Sequence, residues 1–159
     1  MTPEQTIVAC AVREWTMNTE RVRALFTGLG DEHLRAEVAP GRNRLIYLWG
    51  HLIAVHDAML PLLGFGPRLH PELDEAFLNS GDRAVEHLPS AEELTRLWDE
   101  VDGALQAGFQ GLSAAEWVQK HTAVSDEDFV VNPLRNRLAV LLNRTSHMSY
   151  HLGQARLAL

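Results

Sequence analysis

Apolar residues recur every three or four positions in four long stretches of this chain, the spacing of amphipathic helices that bury one face. The first stretch opens on Thr2-Pro3-Glu4-Gln5, which joins an N-cap threonine, proline at the first helical position and glutamine at N3. Val8, Val12, Trp15, Val22, Leu25 and Phe26 follow before Gly28 and Gly30. The second begins near Asn43 and carries Leu45, Leu48, Trp49, Leu52, His56, Met59, Leu60 and Leu63, ending at Gly64, Gly66 and Pro67. Pro61 is expected to bend its last turn, because proline lacks the N–H that a helix interior uses. Ser90-Ala91-Glu92-Glu93 has the form of a capping box; Leu94, Leu97, Trp98, Val101, Leu105 and Phe109 run on to Gly111 as the stop of the third helix. The fourth is expected to start at Asn132-Pro133 and continues through Leu134, Leu138, Leu141, Thr145, Met148 and Leu152.

Four such helices predict an all-α fold, a four-helix bundle with negligible sheet. Residues 1–159 read as a single domain, the usual outcome for a chain of this length. Roughly 25 residues separate helices two and three, too many for a tight antiparallel turn. A long crossover connection is expected there, with a short helix opening at His70-Pro71-Glu72-Leu73. A second small capping box, Ser113-Ala114-Ala115-Glu116, precedes Trp117.

Composition narrows the function classes. The chain is 46% hydrophobic and 22% charged, with a net charge of -7 and no basic stripe, so nucleic acid and anionic membrane are poor partners. The single Cys10 excludes an internal disulfide and any multi-cysteine zinc site. Pro3 and Glu4 stand where an export signal carries positive charge, and no continuous apolar run approaches the roughly 18 residues of a membrane span. The expectation is cytoplasmic residence. P-loop, HExxH, CxxC and nucleophile-elbow patterns are all missing.

What remains is histidine. In the stretch Ser146-His147-Met148-Ser149-Tyr150-His151-Leu152-Gly153-Gln154 two imidazoles stand four residues apart, and so project from one side of a helix. They lie roughly 100° to 140° from the centre of the apolar stripe of helix four. His51 lies roughly 120° from the stripe of helix two. If those two flanks adjoin, His51, His147 and His151 form a three-imidazole site with an open position, as in catalytic zinc sites; otherwise they cap polar grooves. His56 falls within the apolar stripe, where a neutral, hydrogen-bonded core histidine is expected. His33, His70, His87 and His121 fall in or beside loops and are read as surface residues.

The chain resembles the DinB/YfiT-like family of metal-dependent enzymes through Gly50-His51-Leu52, placed after Asn43 and Trp49, and through the stretch from His147 to Gln154. The length, the four-helix layout and the order of the three histidines agree as well. The resemblance implies a four-helix bundle with a long crossover, often a homodimer, holding a divalent ion such as zinc or nickel through His51, His147 and His151. It also implies metal-dependent transfer of a low-molecular-weight thiol to an electrophile. A metal-dependent hydrolase acting through hydroxide, or a non-catalytic metal-binding bundle, are the alternatives. An open site held by neutral imidazoles leaves the ion's double charge intact, so a bound thiol becomes a thiolate near neutral pH. Tyr47, Arg44 and Arg144 lie on the same helix sides as these histidines, but none is assigned as catalytic; no general acid or base is evident.

Overall fold

The computed structural model describes residues 1–159 and is helical, with two isolated bridges, Glu37 to Arg44 and Lys120 to Asn136, in place of any strand. Its elements are α1 (Pro3–Phe26), α2 (Asp31–Leu34), α3 (Leu45–Asp57), α4 (Met59–Leu63), α5 (Ala91–Gln110), α6 (Ala114–Trp117), α7 (Asp126–Val131) and α8 (Arg137–Arg156). The bundle is built by α1, α3 with α4, α5 and α8. In it α1 packs on α8 and α5, and α3 packs on the same two helices from the opposite side.

The N-terminal signals act as their chemistry requires. Thr2 Oγ1 accepts Gln5 N–H while Gln5 Oε1 accepts Thr2 N–H, and Ser113 and Glu116 form the same reciprocal pair. Ser90 Oγ accepts Glu93 N–H at 3.2 Å. The fourth helix starts later than expected. Asn132 Oδ1 accepts Leu134 N–H in a turn and Asn136 Oδ1 caps Ala139 N–H, so α8 begins at Arg137 and Leu134 is 75% exposed. The local hydrogen bonds of two asparagines outweigh the helical spacing of a single leucine.

Pro61 acts as expected: it cannot donate to the carbonyl of Asp57, and the helix is divided at Ala58 into α3 and α4. The second piece closes on Gly64 at φ +81°, a left-handed cap that suits a residue without Cβ. Leu45–Leu63 has the length and mean hydropathy, 1.3, of a membrane span, although His51, His56 and Asp57 break the continuous run. Its 67% burial is that of the central helix of a bundle, packed between α5 and α8.

The core gathers Trp15, Phe26, Trp49, Trp98 and Trp117, all within 1% of full burial, and Phe26 stacks on Trp49 at 5.1 Å. His56 joins this core at 1% exposure, between Trp15 at 4.7 Å and Trp98 at 5.2 Å. Its Nε2 has no protein hydrogen-bond partner, which corrects the expectation of a hydrogen-bonded ring. Burial, aided by the charges of His147 and Arg144, pushes its pKa down to about 3, so it is neutral. The unfolded ring titrates near 6.5, so the stability this residue contributes is intact above that pH and is lost as pH falls toward the folded value.

The connection between α4 and α5 is ordered by buried polar contacts. A single 3-10 turn, Pro71–Leu73, leads into a π-helical turn, Glu75–Asn79. Asp57, fully buried at the end of α3, accepts Arg68 Nε–H at 3.0 Å, Leu69 N–H at 2.8 Å and His70 N–H at 3.0 Å. Arg68 also pairs with Asp74. His70, expected at the surface, is bonded to Glu72 and Glu100 with a side chain only 12% exposed.

Candidate metal centre

Helix periodicity places His147 and His151 one turn apart on α8, and packing of α3 against α8 brings His51 to them. The Nε2 atoms of His51 and His147 lie 3.3 Å apart, and those of His151 and His147 3.0 Å apart. The rings meet edge to face, with centroids separated by 4.5 to 5.2 Å. All three are half-buried.

The outer nitrogens decide what these atoms offer. His51 Nδ1 lies 2.8 Å from the carbonyl oxygen of Phe77, which can only accept, so the proton sits on Nδ1 and Nε2 presents a lone pair. His151 Nδ1 lies 2.7 Å from Gln154 Oε1, an arrangement that selects the same tautomer. His147 Nε2 therefore faces two lone pairs, and a single proton on it satisfies only one of them. His147 Nδ1 is buried without a protein partner. Burial first, then the neighbouring His151, His51 and Arg144, lowers the His147 pKa to about 4. Burial also lowers that of His151, against the pull of Gln154.

This donor set fits a divalent cation. Two nitrogens bound at about 2.0–2.1 Å around a tetrahedral ion stand roughly 3.3 Å apart, close to the two separations here. The Nδ1–H bonds to Phe77 and Gln154 have the form of the outer contacts that orient metal-ligating imidazoles.

The sequence model of the DinB superfamily matches residues 14–155. The chain belongs to the DinB superfamily. No curated protein matches it. The bundle and the three-histidine cluster are thus features of a DinB-superfamily member, and the helical fold expected from the resemblance stands.

Elsewhere on α3 of this DinB chain, Arg44 at the N-cap bonds Asp82 through its backbone N–H and guanidinium at 2.7 to 3.2 Å. Burial opposes ionisation of Asp82, but Arg44 prevails and holds its carboxyl below the usual range. Tyr47 donates its hydroxyl proton to Ser80 O and lies parallel to the His51 ring at 6.2 Å. Desolvation, and after it the charge of Asp82, raises its pKa. His56 points into the tryptophan core, away from the cluster.

Several contributors were not read from sequence as parts of the site. Residues 77–82 run beside α3 and touch it once per turn, with Phe77 O on His51, Ser80 O on Tyr47 and Asp82 on Arg44. Gln154 carried a signal, since it lies three residues after His151 on the same helix face. Phe77 carried none, because its contribution is a backbone carbonyl.

Gly50 explains how that carbonyl is held. Its missing side chain lets the fully buried Phe77 ring lie directly on the α3 backbone, and a Cβ there would overlap three ring atoms. Gly50→Ala is expected to cost about 1–3 kcal/mol in denaturant unfolding, by overpacking. It is also expected to weaken metal binding by roughly 10-fold, because Phe77 O must move away from His51 Nδ1. Unchanged stability and metal affinity in that variant would refute the link.

Proposed function

We propose that His51, His147 and His151 hold a divalent ion, zinc or nickel, and that the protein transfers a low-molecular-weight thiol to an electrophile. The observation that carries this reading is the convergence of three Nε2 atoms with the proton of His51 locked on its far nitrogen by Phe77. Three neutral ligands leave the charge of a bound ion uncancelled, which favours loss of a thiol's proton near neutral pH.

The protein's own residues supply ligation, orientation and room. Phe77 and Gln154 fix the rings of His51 and His151. One turn beyond His151 is a cavity of about 530 Å³ lined by Leu48, Tyr150, Gln154, Leu157, Val38 and Arg42, enough for a small organic substrate. In the reaction the thiolate sulfur forms a bond to the electrophilic carbon, the bond from that carbon to its leaving group breaks with the electron pair departing on the leaving group, and the thiol proton passes to solvent. No carboxylate is hydrogen-bonded to any of the three rings. A thiol, with its ordinary pKa near 8.5, needs less help from a base to lose its proton than water does. This favours thiol transfer over hydrolysis.

The test is metal analysis of the purified protein followed by a screen of small thiols against 1-chloro-2,4-dinitrobenzene. Stoichiometric metal with metal-dependent loss of chloride and formation of the thioether is expected. Stoichiometric metal with no thioether for any thiol would leave a binding protein and overturn the transferase reading.

A further inference from the structure

Four of the arginines are partly buried: Arg44, Arg68, Arg137 and Arg144. Three of them are paired within the protein. Arg44 is bound to Asp82, Arg68 to Asp57 and Asp74, and Arg137 to the carbonyl oxygens of Leu63 and Glu116 at 3.1 and 3.0 Å. Arg144 has no ion pair and no side-chain hydrogen bond. Burial lowers its pKa, and nothing opposes that shift. A guanidinium gives up hydration in this way at a free-energy cost, which an anionic partner offsets.

Its place on α8 identifies where that partner belongs. Arg144 precedes His147 by three residues and His151 by seven, so it sits on nearly the same helix face, about 10 Å below His151 and half that below His147. Helix register therefore puts Arg144 on the face of α8 that carries His147 and His151, the face that meets His51 of α3. No carboxylate is hydrogen-bonded or ion-paired to His147, His151 or Arg144. With a divalent ion held by the three neutral imidazoles, this guanidinium would bring the charge on these half-buried side chains to three positives. A cationic site of that kind selects an anion.

We propose that Arg144 binds a carboxylate of the substrate beside the three histidines, so that the thiol handled here is a small anionic molecule. This rests on the metal reading of the site. It assigns to Arg144 a role that Arg44 and Tyr47 cannot take, since both are bound elsewhere.

The experiment uses the cobalt(II)-loaded full chain and two thiols of nearly equal size, 3-mercaptopropionate and 3-mercapto-1-propanol, titrated while the visible cobalt bands are followed. The wild-type protein is expected to bind the carboxylate thiol at least about tenfold more tightly than the alcohol, as a charge-assisted hydrogen bond allows. Arg144→Met keeps the apolar stem; it is expected to load the same amount of cobalt and to lose that preference, with the alcohol's affinity unchanged. Arg144→Lys should keep part of it, and should the methionine variant fail to fold, Arg144→Gln against Arg144→Lys reads the same difference. Equal affinities for the two thiols in wild type, or an undiminished preference in Arg144→Met, would overturn the proposal.

A second arm separates it from the metal reading. In the metal-free protein, acetate is titrated while the Arg144 Nε–H resonance is followed. If no variant loads cobalt but acetate shifts that resonance saturably, the metal reading falls and the anion site stands. If cobalt loads but neither acetate nor the thiol pair depends on Arg144, the anion site falls alone. Failure of both arms removes both.

Discussion

Replacing His51, His147 or His151 by alanine is expected to lower metal affinity by more than about 100-fold in each case, because even loss of an outer hydrogen-bonding partner costs roughly 10–100-fold. Each ring offers one of the three Nε2 atoms that meet between α3 and α8, so each substitution removes a direct bond and frees the remaining pair. His56→Ala is the control. Its ring lies between Trp15 and Trp98, so its removal leaves a cavity in the core and lowers stability by roughly 1–3 kcal/mol, while stoichiometric metal remains. Metal content measured on the four purified variants decides the assignment. A metal-free His56→Ala protein beside a fully loaded His51→Ala protein would reverse it, and loaded proteins in all four cases would remove the three-histidine site.

Asp57→Ala is expected to destabilise the fold by about 3–5 kcal/mol, the cost of deleting one partner of a buried ion pair. A carboxylate near the C-terminus of a helix is disfavoured by the helix dipole, so its place at the end of α3 depends on outside donors. Those donors are Arg68 and the backbone N–H groups of Leu69 and His70, all left unsatisfied at Asp57 by the substitution. The effect should reach the histidines as well. Residues 68–74 lead directly into the turn that carries Phe77, whose carbonyl orients His51, so metal affinity is expected to fall together with stability. Urea unfolding and metal titration of the purified variant check both parts. A loss below about 1 kcal/mol would mean that Asp57 does not anchor the connection.

The histidine cluster was half visible in the sequence. His147 and His151 share a face because four residues nearly complete one helical turn, a relation fixed within a single helix. His51 and His56 are about 140° apart on α3, so the periodicity confines one of them to the core stripe and the other to its flank. The stripe itself indicated which was which. Whether the two flanks meet is another matter, since His51 and His147 are 96 residues apart and only packing of α3 on α8 brings them to 3.3 Å.

What the sequence determined by itself is local. The caps at Thr2, Ser90 and Ser113, the break at Pro61 and the apolar stripes of the long helices all follow from interactions within a few residues, which act before any tertiary contact exists. The start of α8 escaped that reading because two local signals competed, and the side chain of Asn136 prevailed over the spacing of Leu134. Tertiary structure alone decided the rest. The carbonyl of Phe77 sets the tautomer of His51, and a backbone acceptor has no signature in residue type. The space at Gly50 is defined by a ring 27 residues later. Arg44 and Arg144 look alike in sequence, yet one folds onto Asp82 and the other is half-buried without an ion pair, because charge pairing depends on which distant side chains packing brings within reach.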